Sequence, residues 1–436
     1  MYCRVHVARL VCPGRISTGR PDEHAIDITD VWHHSTITDP PIKMYFFSIW
    51  PMAALVAVGL LMLSNSKLFA FLDEPPTASH HRFETLDGLR AFLAIAVLFH
   101  HLAAKRWQLA SGEHGLPPSH FYALLGEAGV AMFFMITGNL FWGRLIDKQG
   151  RIDWIDLYLN RFFRIAPLYV FVAAIYVIAV LYRSQSTQPA GNFPPLIDIV
   201  QWMAFGISSH PAPLFNDMIS VGIIGPTWTL YYEWKFYFAL PILAALARAP
   251  SPLTLCLSAI TFVLCFDDLV PDPFKFYVSH FLVGMVSASM VRAHPGLNRD
   301  GIARSLTAIA FLACGFYFCN TAYSTLAVIL FGAFFILISS GASLFGLLRL
   351  TGAKRMGNAS YSVYMLHGLA ITVVLSPSLL GIYAVKSPMH FWAVSGLVFL
   401  GSICMAILSY SVVERGGVRL GLMLRNKRKY QSAKAA

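Results

Sequence analysis

The sequence predicts an all-α, polytopic transmembrane helical bundle with ten core helices and one extra N-terminal transmembrane helix. Three observations predict it. Of 436 residues, 56% are hydrophobic and only 13% are charged, where soluble domains carry about a quarter charged residues. The mean hydropathy is +0.59. The apolar residues fall in blocks of roughly 17–23, the length that crosses a bilayer core.

The first 43 residues are polar and mixed in charge, and contain His33–His34 and Pro40–Pro41. They read as a disordered extension or as a mis-set start, with Met44 the true one. A first apolar block, 45–64, has no basic leader and no small-residue cleavage site, so it reads as a retained helix (segment 44–65) rather than a signal peptide. Ten more candidate spans follow at 86–103, 121–142, 165–182, 228–247, 253–266, 274–290, 306–318, 326–348, 361–383 and 391–413. Together they define a membrane domain over 82–414, followed by a basic tail, 415–436. The stretch 196–207 is apolar but too short to cross, and reads as re-entrant or interfacial.

Charge sets the topology. If 196–207 does not cross, Arg144, Lys148, Arg151, Arg161 and Arg164 share one side with Arg248, Arg292, Arg299, Arg304, Arg349, Lys354, Arg355 and the tail. The acidic loop with Asp267, Asp268 and Asp272 then falls opposite. Basic loops face the cytoplasm, so this reading puts the C-terminus in the cytoplasm and the N-terminus outside. It also explains the net charge of +11 without nucleic acid as a partner, because the basic residues lie between apolar blocks. The seven cysteines form no Cys-x-x-Cys pair, and five lie inside apolar blocks. They indicate neither a disulfide framework nor a metal site.

Ionisable residues inside spans are costly and usually face a cavity or a partner. The set comprises Asp87, Arg90, His100, His101, Glu127, Glu233, Lys235, His280 and His367. Arg90 and His101 stand eleven positions apart, about 16 Å and three helical turns, and so share a face. His100 points about 100° away, which makes His101 the better candidate base. Glu233, in GPTWTLYYEWKFY, is expected at a depth similar to His101, where a carboxylate can orient and polarise an imidazole. Arg161 and Arg164, in LNRFFRIAPLY, are three apart at the mouth of a helix, which suits a phosphate clamp. Gly129 and Gly138, within GEAGVAMFFMITGNLFWG, permit close approach of a helix or ligand. His367 lies in MGNASYSVYMLHGLA, well inside its helix.

Five blocks in order carry a resemblance: the Leu-Asp-Gly-Leu-Arg segment with Arg90 and His101, then GVAMFFMITG, RFFRIAPLY, WTLYYEWKFY and ASYSVYMLH. The chain resembles the membrane-bound acyltransferase family 3, whose members O-acylate surface polysaccharides, nodulation factors and macrolides. The match runs from about Phe83 to Glu414. The resemblance implies a ten-helix core in a bacterial inner membrane and an acyl-CoA donor, with acetyl-CoA the expected one. It implies a carbohydrate or glycolipid acceptor in contact with membrane lipid. It points to His101, Glu233 and Arg90 as catalytic and to Arg161, Arg164 and His367 as donor-binding. The sequence departs from the family at Thr137 and Asn139, where Ser-Gly-Phe is common, and in VERGG, where Pro often follows the acid and base. Two other readings use the same residues: a transporter with a proton relay, and a haem protein with His101 and His367 as axial ligands.

Overall fold

The computed structural model describes residues 46–73, 84–112, 115–186, 189, 191–207, 211–265 and 271–435. The 1–43 extension and the acidic pair Asp267 and Asp268 lie outside the described residues. Among the described residues there are helices and turns and no strand.

Every predicted apolar segment contains a helix, but two are helical over only part of their length: in 326–348 the helix ends at Ser339 and in 361–383 it ends at Val374, each followed by turns. Helix α1 (Ile49–Leu63) bends by 69° into the short α2 (Ser66–Phe69) and the turn that ends at Leu72. The long pair α3 (Glu84–Ser111) and α4 (His120–Asp147) follows. Helix α5 (Trp154–Ser184) starts where the Asp153 carboxylate accepts a hydrogen bond from the Asp156 N–H, and it tolerates Pro167 in its interior. Helix α6 (Leu196–Met203) has eight residues, about 12 Å, and buries only Trp202. It cannot cross a bilayer, as its sequence indicated.

Helix α7 (Met218–Ile224) leads into α8 (Trp228–Leu246). Next come α9 (Pro252–Cys265), α10 (Phe274–Ala293), α11 (Ile302–Phe318) and α12 (Thr325–Ser339), the last capped by Ser324. The amphipathic α13 (Thr351–Asn358) precedes α14 (Ser360–Val374) and a short α15 (Gly381–Ala384). Helix α16 (Pro388–Ser409) then runs through a π-turn, Tyr410–Glu414, into α17 (Arg415–Ala435). The tail is therefore a helix, and it packs along α5.

Among the described residues, five helices are long and apolar enough to cross a membrane, or six if the bent pair at the N-terminus is one span. Four more apolar helices, α9, α11, α12 and α14, have 14–17 residues. That is about 21–26 Å, short of a full 30 Å core. The remaining predicted span, α8, carries Glu233 and Lys235.

The seam between α4 and α10 is the most extensive helix pairing among the described residues, and it is close. A Cβ on Gly138 would lie 2.2 Å from the Phe281 carbonyl oxygen, and one on Gly284 would lie 2.0 Å from that of Met135. Only glycine lets the two backbones meet at this distance. The seam continues as a polar ladder, in which Asn139 Nδ2 donates to Ser287 Oγ at 3.2 Å and Trp142 Nε1 donates to Ser289 Oγ at 2.8 Å. Gly129 likewise admits Val97 and the Leu93 carbonyl of α3.

Ion pairs gather the basic segments at one end. Arg292 binds Asp147 in a bidentate pair at 2.7 Å, and Arg349 reaches Asp300 at 3.0 Å. Arg248 Nε donates to the Gln149 carbonyl. Arg425 binds Asp156, and Arg428 pairs with Asp153. The segments that charge alone assigned to one side therefore do meet at one end of the bundle.

The N-terminal segment is fastened to this same core. Arg355, 2% exposed, donates to both Asp73 carboxylate oxygens at 2.7 and 2.8 Å and to the Leu63 carbonyl at 2.8 Å. These hydrogen bonds are the main reason that the Asp73 carboxyl is held below the usual carboxylate range; partial burial works against them, and the Arg355 and Lys354 charges add to them.

Candidate active site

A cavity of about 180 Å³ opens among α3, α4, α5, α8 and α14. Three arginines, Arg90, Arg161 and Arg164, line it together with one acid, Glu233. Arg161 and Arg164 fall on one face of α5 because they are three residues apart. Arg161 lies about seven residues, or 10 Å, into α5 from its basic end. Its guanidinium carbon sits 5.0 Å from the centre of the Phe141 ring, and its Nε is buried with no hydrogen-bond partner among the described residues. A buried guanidinium N–H without a partner is costly, and it is a donor ready for an anion.

Glu233 accepts a hydrogen bond from the Tyr237 hydroxyl at 2.8 Å. Tyr237 is one helical turn along α8, and the Tyr158 hydroxyl bonds its carbonyl at 3.0 Å. The hydrogen bond of Glu233 thus goes to Tyr237, within the arginine cluster. His101 belongs to a neighbouring cluster. Its ring stacks on that of His367 at 5.1 Å, with 23° between the planes, and meets His100 edge-on at 4.9 Å.

The three histidines have different surroundings. His100 packs against Gly126, where a Cβ would overlap its ring, and its Nδ1 lies 2.8 Å from the Tyr122 carbonyl. It is held by α4. His367 is fully buried; its Nδ1 lies 3.3 Å from the Val363 carbonyl, while its Nε2 has no partner among the described residues. A proton on Nδ1 leaves the Nε2 lone pair available. Among the described residues, no group of three His, Cys, Asp or Glu side chains is placed to hold a metal ion.

Tyr364 links the two clusters. It lines the cavity, and its ring centre is 5.9 Å from that of His367. Its hydroxyl donates to the Pro226 carbonyl at 3.0 Å and lies 3.1 Å from Thr229 Oγ1. Phe133, also a cavity wall, packs edge-on against Tyr364. The six residues selected from sequence therefore fall into two adjoining groups: Arg90, Arg161, Arg164 and Glu233 around the cavity, and His101 with His367 beyond Tyr364.

The other ionisable residues of the spans lie elsewhere. His280 faces Tyr323 at 6.2 Å, and Lys235 is exposed over the Tyr231 and Phe274 rings. Glu127 accepts from Thr321 Oγ1 at 2.6 Å and from the Ala322 N–H at 2.8 Å.

Sequence reasoning missed Tyr237, Tyr361, Tyr364, Thr229 and Glu414. The i, i+4 spacing of Glu233 and Tyr237 was a usable signal. Glu414 had none, because it lies one residue beyond the last apolar block and is turned inward by a π-turn.

The family model described as an acyltransferase domain matches residues 83–407. The exopolysaccharide production protein ExoZ of Rhizobium meliloti is 27% identical over 325 residues, covering 71% of this chain and 94% of its own length. The putative peptidoglycan O-acetyltransferase YrhL of Bacillus subtilis is 24% identical over 376 residues, 77% of this chain and 55% of its own length. The acyltransferase MdmB of Streptomyces mycarofaciens is 27% identical over 172 residues, 38% of this chain and 40% of its own length. No solved structure matches the chain.

Proposed function

We propose, from the premise that this chain belongs to the acyltransferase family whose domain it matches over residues 83–407, that it moves an acyl group from acyl-CoA to a hydroxyl of a carbohydrate or glycolipid. The chain is an integral membrane O-acyltransferase. What supports the finer reading is the three-arginine cavity at the basic end, adjoining a stacked histidine pair.

In this reading the basic end faces the cytoplasm of a bacterial inner membrane. The donor, acetyl-CoA in the simplest case, enters there. Arg161 and Arg164 hold its phosphates as a clamp, and Arg90 steadies the donor deeper in the cavity. Glu233, braced by Tyr237, keeps the arginines apart and oriented. The thioester arm passes Tyr364 toward the histidines. His101 takes the proton of the acceptor hydroxyl as its oxygen attacks the thioester carbonyl. The carbon–sulfur bond breaks, and coenzyme A leaves with that proton as the thiol. His367, stacked on His101, holds the imidazole in place. A carbohydrate-type acceptor is supported by the relatives named for exopolysaccharide production and for peptidoglycan O-acetylation.

The test is mass spectrometry of surface glycans and lipids from cells with the wild-type protein, with none, and with His101→Ala. The reading expects an ester of defined mass in the wild type alone. Identical profiles from all three, with protein present and folded, would overturn it.

A further inference from the structure

We infer that Arg106, at the end of the bundle opposite the arginine cavity, is a binding site for an anionic headgroup, a phosphate or a carboxylate carried by a lipid or glycolipid of the surrounding membrane.

Helix α3 starts at the basic end, where Lys354 Nζ stands 3.8 Å from the Glu84 carboxylate. Arg106 follows late in the same helix, about 33 Å along its axis. It lies about 24 Å beyond Arg90, well outside the cavity that Arg90 lines. Its neighbours come from the same far end: Phe46 and Phe47 precede α1, and Phe391 stands in the first turn of α16.

Arg106 is 7% exposed. Its guanidinium carbon lies 3.4 Å from the centre of the Phe46 ring, and 5.7 and 5.6 Å from those of Phe47 and Phe391. An arginine that merely marks the membrane surface extends its head into water. Here the head is enclosed by rings. Stacked rings cover the faces of a guanidinium, but its five N–H donors point outward in its own plane. Nε is buried with no hydrogen-bond partner, and no carboxylate pairs with Arg106 among the described residues. Burying a cation without a counter-charge is costly, and aromatic faces recover only part of that cost.

The same seam holds a second donor of this kind. Trp392 Nε1 is buried without a partner among the described residues. Its ring lies 6.3 Å from that of Phe99, which shares a face of α3 with Arg106 because the two are seven residues apart. A phosphate or carboxylate offers a planar fork two oxygens at once. The rim is apolar, with Ile49 and Trp50 exposed just beyond Phe47. It suits an anion that arrives on a hydrocarbon chain better than one dissolved in water.

The experiment titrates the purified full chain with dioleoyl phosphatidylglycerol and with the uncharged dioleoylglycerol, read by native mass spectrometry. Arg106→Met places an apolar chain among the three rings and should keep or raise the melting temperature. The first phosphatidylglycerol to bind is expected to lose about tenfold in affinity in this variant, with dioleoylglycerol unaffected. Arg106→Lys, which keeps the charge but loses the fork, should weaken phosphatidylglycerol about threefold.

An Arg106→Met variant that binds phosphatidylglycerol as wild type does overturns the inference. So does an equal loss of both lipids, which marks a packing role alone. If Arg106→Met does not fold, Arg106→Lys decides, and an unchanged affinity there overturns the inference. Cells then identify the source of the headgroup. Loss of the surface ester in Arg106→Met, with acetyl-CoA binding intact, assigns the anion to the acceptor; an unchanged ester assigns it to a resident phospholipid. This last step alone rests on the proposed acyl transfer. If wild type makes no ester, that proposal fails while the lipid titration still decides the role of Arg106.

Discussion

Two regions of the bundle set a glutamate near histidines, and they differ in what surrounds the carboxylate. In one, Glu127 takes hydrogen bonds from Thr321 and the Ala322 N–H, and His280 faces Tyr323 close by. The carboxylate there is satisfied by groups of a single turn between α11 and α12. In the other, Glu233 takes one hydrogen bond, from Tyr237, and looks into a cavity lined by three arginines, with His101 and His367 beyond. The first cluster satisfies its carboxylate internally and lies away from the arginine cavity, although both ring nitrogens of His280 lack hydrogen-bond partners among the described residues. The second leaves donors such as Arg161 Nε and an acceptor, His367 Nε2, without partners among the described residues. Buried polar atoms without partners are expensive. At the cavity wall, a bound anion would give Arg161 Nε such a partner.

Exchanging the histidines breaks the comparison most sharply. His101→Ala is expected to lower acyl transfer by about 10²–10⁴-fold, the contribution of a general base, with little change in thermal stability. His280→Ala is expected to do the reverse, lowering the melting temperature while activity per folded molecule persists. Equal losses of activity in the two variants would dissolve the distinction.

The glutamates give the next largest contrast. Glu233→Gln keeps the Tyr237 contact but removes the charge among the arginines, and should cost about ten- to a hundredfold in activity. Glu127→Ala strands the Thr321 hydroxyl and the Ala322 N–H at about 1–3 kcal/mol each, read as a lower melting temperature with near-normal turnover. A smaller effect is expected from Arg161→Lys, which keeps the charge but loses the planar fork: the Kd for acetyl-CoA should rise about three- to tenfold, and the reverse exchange, Lys235→Arg, outside the cavity, should leave it unaltered.

The smallest expected effect concerns the N-terminal clasp. The Asp73 carboxyl is held below its ordinary range by Arg355, so the folded state binds this proton less readily than the unfolded chain does. The stabilisation is full above the ordinary aspartate range, near about pH 4, and is lost as pH falls through the lowered folded value. Melting curves of wild type and Asp73→Asn should differ by about 1–2 °C at neutral pH and converge in acid. A gap that widens in acid would contradict this assignment.

The two clusters also mark how much a sequence discloses. The apolar blocks placed the helices, because crossing a membrane demands an uninterrupted apolar run. The basic loops met at one end, as their charge indicated. Arg161 and Arg164 were found because they stand three apart at the mouth of a helix, and Arg90 and Glu233 because an ionised group inside a span stands out. The same signal marked Glu127 and His280 equally, since satisfaction by Thr321 and Ala322 depends on a turn some 194 residues away. Tyr237, Tyr361 and Tyr364 are ordinary aromatics of a membrane protein until tertiary contacts aim their hydroxyls. The helical tail was unreadable for a similar reason. Its order comes from Asp153 and Asp156 on α5, and from Gly417 and Gly421 fitting against Phe163.

The seam of α4 and α10 also limits how this enzyme can diversify. Gly138 and Gly284 each abut a carbonyl of the opposite helix, so neither admits a methyl group unless both backbones part. A single substitution at either position pulls Ile136, Thr137 and Leu140, which form one wall of the cavity, away from the others. That wall is closed to gradual change. New preferences can accumulate only where side chains, rather than backbones, shape the space, as at Phe133, Thr229 and Tyr364. Descendants of this chain will differ there and keep both glycines.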